Sequence, residues 1–229
     1  MSGTLALIGG QEHMPGCEPI DRMLLREIGV THPHVAVVLA GTSPRRRAFK
    51  INEAETYWAQ LGGHVSFVFT GAPDETDAGL TALADPDLVV FTGGHPWLFH
   101  QRLEQHPQIL DRILDLSRSG VPLAGSSAGA MAMCEWRQRM RPPRPLQLVR
   151  ALGLVPRSAV APHFPRYGIP HVASWAIRRH PFLRVLGLQD QTALVGRDGR
   201  FQVVGAGTVT VLGHHGPARY EPGAEIHLR

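Results

Sequence analysis

Apolar residues fall along this chain in two rhythms. Short, uninterrupted runs rich in β-branched residues recur, and the early ones end in glycine: "TLALIGG", "HVAVVLAG", "HVSFVFTG", "DLVVFTGG" and "VPLAG". Runs of this kind are expected of strands buried on both faces, as in a parallel sheet. Between them lie segments of helical periodicity, "PIDRMLLREIG", "PRRRAFKINEAETYWAQLGG", "HPWLFHQRLEQH" and "PQILDRILDLSRSG", the last two separated by a short break. Alternation of strand and helix predicts an α/β fold with a doubly wound, mainly parallel sheet and helices on both faces. Its working site is expected beyond the carboxyl ends of the strands, where the glycine-terminated turns fall.

Near the C-terminus the runs "RVLGL", "TALVG", "FQVVGAG" and "VTVLG" are short and separated by turn signals such as Arg197-Asp198-Gly199. They predict a short antiparallel extension of the sheet. The basic, proline-rich stretch "RMRPPRPLQLVRALGLVPRSA" predicts a loop with a short helix. No internal repeat interrupts the pattern, and residues 1–229 are expected to form a single domain.

Three of the glycine turns could carry chemistry. In "PLAGSSAGAMAM", Gly125-Ser126-Ser127-Ala128-Gly129 matches G-x-S-x-G after a strand and before a helix-compatible run, the context of a nucleophile elbow. Glycine and serine also simply cap helices that follow strands. In "FTGGHPW", the N–H of Gly94 together with that of Ala128 would form a two-donor oxyanion hole, though paired glycines also mark plain tight turns. In "VAPHFPRYG", His163 lies 36 residues after Ser127, between prolines expected to keep the backbone extended, where a neighbouring strand end could present a base. A lone histidine among 13 is otherwise structural.

Composition narrows the picture. With 43% hydrophobic and 18% charged residues the chain is expected to fold rather than stay disordered. Its two cysteines, Cys17 and Cys134, are far apart and lack metal-ligand spacing, so neither a disulfide framework nor a structural zinc site is expected. The opening lacks the basic region and apolar length of a signal peptide, and no segment reaches the roughly 18 apolar residues of a membrane helix, so the expectation is a cytoplasmic protein with no membrane partner. Net charge is +4, but between Ser127 and Asp190 ten arginines face a single acid, Glu135. Lys50 is the one lysine against 22 arginines, so the excess fits a compositional bias of the source as well as an anionic partner held by guanidinium groups. Nucleic acid is not expected, because that segment lacks interleaved aromatics and any known module.

Taken together, "LIGGQE", "FTGGHPWLFHQRL", "GSSAGA", "APHFPR", "GLQDQTALV" and "VVGAGTVTVL" resemble peptidase family S51, which contains aspartyl dipeptidase (peptidase E) and cyanophycinase, within the class I glutamine-amidotransferase-like fold. The resemblance spans almost the whole chain. It implies a serine peptidase acting on a small peptide, with Ser127 as nucleophile, His163 as general base, Gly94 and Ala128 as oxyanion donors, no cofactor and no metal. Relatives complete the triad with an acid some fifteen to eighteen residues after the serine; here residues 142–145 read Pro-Pro-Arg-Pro. Glu135, eight residues along, would be roughly 12 Å from Ser127 on a helix. Asp190, beside the position where relatives often read "GIDE", is the preferred substitute; a serine–histidine dyad, a backbone carbonyl or a water would also serve.

His95-Pro96 replaces the Asn or Asp followed by Gln or Thr of relatives, so His95 is expected to contact substrate. Arg166 is the only arginine close after His163, with Arg178 and Arg179 further on, which disfavours cyanophycin as substrate but suits one peptide carboxylate; Arg166 could equally lie along the surface. A homodimer is compatible with the sequence. Competing readings are an α/β-hydrolase with His214 or His215 as base, and a family member that lost catalysis and binds a peptide or small ligand. A glutamine amidotransferase would need cysteine where Ser127 stands, and Cys134 is expected only in the following helix.

Overall fold

The structure, a computed structural model, describes residues 3–141, 144–166 and 169–228. In chain order the elements are β1 (Leu5–Ile8), α1 (Glu18–Ile28), β2 (His34–Val38), α2 (Arg47–Gln60), β3 (His64–Val68), α3 (Thr76–Ala82), β4 (Leu88–Phe91), α4 (Pro96–Gln105), α5 (Pro107–Ser119), β5 (Leu123–Ser126) and α6 (Ala128–Met133). There follow β6 (Trp136–Arg141), β7 (Arg144–Arg150), β8 (Ser158–Ala161), α7 (Ile169–Arg179), β9 (Arg184–Leu188), β10 (Thr192–Arg197), β11 (Arg200–Gly205), β12 (Val209–Gly213), β13 (Gly216–Tyr220) and β14 (Glu225–His227).

The main sheet has eight strands in the order β14-β11-β10-β1-β5-β4-β2-β3. The five from β1 to β3 are parallel, and β10, β11 and β14 continue the sheet antiparallel beyond β1. Alternation along each strand divides the core. On β1, Leu5 and Leu7 join the cluster formed with α4, α5 and α6, while Ala6 and Ile8 join Ile20 and Leu24 of α1 and Ala54, Tyr57 and Trp58 of α2. A strand clothed on both faces has no reason to alternate apolar with polar residues, which is why these runs are continuous. The expected strands and the four expected helices are all present.

Several segments, the helix α7 among them, differ from expectation. The C-terminal strands do not all extend one sheet: β9, β12 and β13 form a second sheet with β8, in the order β13-β12-β9-β8, with β8 and β9 parallel. This sheet sends Val160, Leu186, Leu188 and Val209 into the main core and covers its other side with Ala173 and Ala176 of α7. The basic stretch expected to be a loop with a short helix is instead the hairpin β6–β7, pairing Trp136 with Arg150. Arg150 lies over the Trp136 ring at 4.1 Å, and Arg139 donates to Gln147 at 2.5 Å. Cross-strand pairing thus supplies an order that composition alone does not announce. Finally, α3 is short and packs through Gly79, so its apolar stripe is too narrow to register as a period.

Candidate active site

The carboxyl ends of β1, β4 and β5 lie side by side, and their turns meet the β8 and β9 turns. Between β5 and α6, Ser127 adopts φ 49° and ψ −108°, a conformation costly for a residue with a side chain. It persists because the surroundings leave no alternative. Its N–H donates to the Ile8 carbonyl at 3.0 Å, its carbonyl accepts from the Met131 N–H at 3.0 Å, and a Cβ on Gly129 would lie 2.5 Å from the Phe91 carbonyl oxygen. The small residues of G-x-S-x-G are therefore a packing requirement.

His163 stands just past β8. The flanking prolines do not keep it extended: it is in a turn at φ 54°, its N–H donating to Gly9 O at 3.0 Å and its carbonyl accepting from Arg166 N at 2.9 Å. That turn brings Nε2 to 3.0 Å from Ser127 Oγ. The other ring nitrogen, Nδ1, lies 2.5 Å from Asp190 Oδ1. Asp190 is in the β9–β10 turn, and its second oxygen accepts from Gln11 Nε2 at 3.3 Å and meets Arg166 Nη1 at 3.3 Å. Ser127, His163 and Asp190 thus form one hydrogen-bonded chain.

The other sequence candidates separate clearly. Glu135 binds the Arg150 guanidinium and accepts from Arg157 N at 2.6 Å, holding the base of the β6–β7 hairpin rather than the histidine. Of the window 142–145, where relatives carry their acid, residues 142–143 lie outside the described residues. Gly94, at φ 145°, passes so close to Gly41 that a Cβ would overlap the Gly41 carbonyl oxygen. No described protein group accepts from the N–H of Gly94 or of Ala128. His95 caps α4, donates its N–H to Gly41 O at 3.0 Å and exposes its ring at the pocket. His214 and His215 sit in the β12–β13 turn beside Phe182, in another depression. Both thiols are buried, and burial pushes each up to about 12, so neither is a ready nucleophile.

A pocket of about 580 Å³ opens over Ser127 and His163. Its lining includes three charged residues to which the sequence assigns no role in the site, Glu12, Arg46 and Lys50. Arg46 lies over the exposed Phe49 ring at 5.9 Å and pairs with no carboxylate among the described residues. Lys50 reaches Glu12 Oε1 at 3.3 Å and Glu53 Oε2 at 2.6 Å. Burial alone would raise the Glu12 carboxyl, but Lys50, the Ser126 hydroxyl and its own backbone N–H outweigh it and hold it below the usual range. The one lysine in an arginine-rich chain, and a carboxylate two residues after "GG" at a strand end, are the available signals. Among the described residues no group of three or more His, Cys, Asp or Glu side chains is placed to hold a metal ion, and no helix is long and apolar enough to cross a membrane.

Fold and site together define an α/β protein with a serine on a strand-to-helix elbow at the carboxyl edge of a mainly parallel sheet. The family is particular: a model for peptidase family S51 matches residues 5–204, and the chain belongs to that family. Among solved structures it is similar to a peptidase from an acI-B1 actinobacterium, with a TM-score of 0.83 and 24% identity over 99% of this chain and 97% of that one. It is also similar to a putative peptidase E protein from Listeria monocytogenes EGD-e, with a TM-score of 0.64 and 17% identity over 90% of this chain and 100% of that one.

Proposed function

We propose that this protein is a serine peptidase that hydrolyses small peptides through an acyl-enzyme at Ser127. The observation that carries the reading is the chain Ser127 Oγ, His163 Nε2 at 3.0 Å, and His163 Nδ1, Asp190 Oδ1 at 2.5 Å. With the Nδ1 proton held by Asp190, Nε2 is left as the acceptor for the serine proton. Ser127 Oγ then attacks the amide carbon while its proton passes to His163. The carbonyl oxygen, now negative, takes the N–H groups of Gly94 and Ala128. His163 returns the proton to the leaving amine, and water, deprotonated by the same imidazole, releases the acyl group.

A pocket of about 580 Å³ suits a dipeptide or short peptide better than a polymer. Substrates with an acidic side chain or a free carboxylate are favoured on this reading, because Arg46 lines the pocket without a carboxylate partner among the described residues. Arg166 is the second candidate reader; its guanidinium is already shared with Asp190 and is not part of the pocket lining. The alternative of a catalytically impaired binding protein rests on the missing acid and on the changed His95-Pro96 turn, and Asp190 beside His163 weakens the first of these grounds.

The test is hydrolysis of a panel of dipeptides and short peptides, including Asp-X and X-Asp members, by the wild type and by Ser127→Ala. Cleavage is expected from the wild type alone. Equal cleavage by both would remove Ser127 from the mechanism; binding without cleavage by either would favour the binding protein.

A further inference from the structure

We infer that Glu12, paired with Lys50, is a positioning residue that ties the Gly93-Gly94 turn to the serine elbow and so fixes where the Gly94 and Ala128 N–H groups point; this rests on the acyl-transfer reading above. Glu12 follows β1 in a loop where Gly10, Gln11 and His13 all have positive φ, at 153°, 62° and 61°. Such backbone persists only where neighbours over-determine it, and here its result is to turn a carboxylate inward. Glu12 Oε1 accepts from the Gly93 N–H at 3.0 Å, at the end of β4. Glu12 Oε2 accepts from Ser126 Oγ at 2.7 Å, at the end of β5 and one residue before the nucleophile. One side chain thus bridges the two turns that would supply the oxyanion donors.

The bridge also decides which amide is available. The Gly93 N–H is consumed by Glu12, which leaves the Gly94 N–H as the donor of that turn with no acceptor among the described residues. The two turns are in contact, since a Cβ on Gly93 would lie 3.4 Å from Ser127 Cβ. A carboxylate suits this place for a reason of hydrogen-bond type. Both neighbours, an N–H and an O–H, donate, and only an ionised carboxylate presents an acceptor to each. Glutamine would meet Ser126 with a donor and force that fully buried hydroxyl to turn. An anion near a forming oxyanion would oppose it, and Lys50 answers that problem: its ammonium sits on Oε1 at 3.3 Å and is anchored from the far side by Glu53 at 2.6 Å. A compact ammonium with three donors fits between two carboxylates, and this is the single place where the chain departs from arginine. A buried ion pair is not the most stable filling for such a space, but its directions are fixed.

The experiment uses the full chain as wild type, Ser127→Ala, Glu12→Gln and Lys50→Met. Active sites are titrated with a fluorophosphonate, and kcat per titrated site and KM are measured on the best peptide of the panel. Affinities follow for the matching peptide aldehyde, which forms a tetrahedral adduct, and for the reduced-bond peptide, which cannot. Misplacing one oxyanion donor is expected to lower kcat per site roughly 100-fold in Glu12→Gln, with KM within about threefold. Aldehyde affinity should fall in proportion while reduced-bond affinity holds. Lys50→Met should shift the same two quantities in the same direction, which keeps the test alive if Glu12→Gln does not fold. A kcat per site within about twofold of wild type in a folded variant, or equal losses of aldehyde and reduced-bond affinity, would overturn the inference. Failure of the underlying reading looks different: the wild type would not label, or Ser127→Ala would still turn over.

Discussion

Replacing Asp190 with asparagine removes one charge from a contact of 2.5 Å with His163 Nδ1 and leaves the size of the side chain unchanged. On the proposed mechanism the imidazole becomes an imidazolium as Ser127 attacks, and Asp190 is the group that offsets that charge. Unit charges about 4 Å apart interact by about 4 kcal/mol at an effective dielectric constant near 20. That corresponds to about a 10³-fold loss in rate at 1.36 kcal/mol per decade. Asparagine can also offer its amide N–H to Nδ1 and favour the wrong tautomer, which acts in the same direction. The side chain of Asp190 is 18% exposed and shares its other oxygen with Gln11 and Arg166, so the loss should not greatly exceed that figure. The assay is kcat and KM on the best peptide substrate, with the rate of fluorophosphonate labelling as a measure of Ser127 reactivity alone. Both rates should fall together while KM changes little. Glu135→Gln is the control, expected within about threefold of wild type because Glu135 binds Arg150 and Arg157 instead. Activity of Asp190→Asn within about tenfold of wild type would refute the reasoning and leave a serine–histidine dyad oriented by other means.

Further expectations concern specificity, packing and pH. Arg46→Ala should reduce kcat/KM for acidic peptides at least tenfold relative to neutral ones, and more than Arg166→Ala does; a larger effect at Arg166 would return the carboxylate to that residue. Gly129→Ala places a methyl group against the Phe91 backbone carbonyl, which cannot rotate away, and should cost about 1–3 kcal/mol or more in urea unfolding. Burial raises the Asp21 carboxyl to about 6, against the hydrogen bond from Tyr57. Between about pH 4 and pH 6 the folded chain therefore keeps a proton that the unfolded chain releases, so this group's contribution to stability falls as pH rises through that window and is level above it. The change is about 3 kcal/mol at most. Asp21→Asn should abolish it, seen as a stability difference from wild type that moves in the variant's favour between pH 4 and pH 7.5; a constant difference would mean that Asp21 does not titrate there. Iodoacetamide should leave activity intact at neutral pH, since both thiols are buried and pushed up to about 12.

How much of this was legible in the chain follows from where each determinant lies. The five parallel strands, helices α1, α2, α4 and α5 and the serine elbow are encoded within windows of five to twenty residues, because a strand covered on both faces, an amphipathic helix and a crowded turn each impose a local pattern. The His163 turn was visible as a motif, though not its conformation: prolines nearby suggested extension, whereas the hydrogen bond to Gly9 folds the backbone to positive φ. What only the tertiary structure decided is pairing between distant segments. Asp190 reaches His163 from the β9–β10 turn because β9 joins β8 in a second sheet, so the acid need not follow the serine closely along the chain. Glu12 reaches Gly93 and Ser126 across separations of 81 and 114 residues because β1, β5 and β4 are neighbours in the sheet. A local pattern can state that a strand ends in glycine and is followed by a carboxylate. Which other strand ends that carboxylate will face is set by the order of strands, a global property that no short window contains.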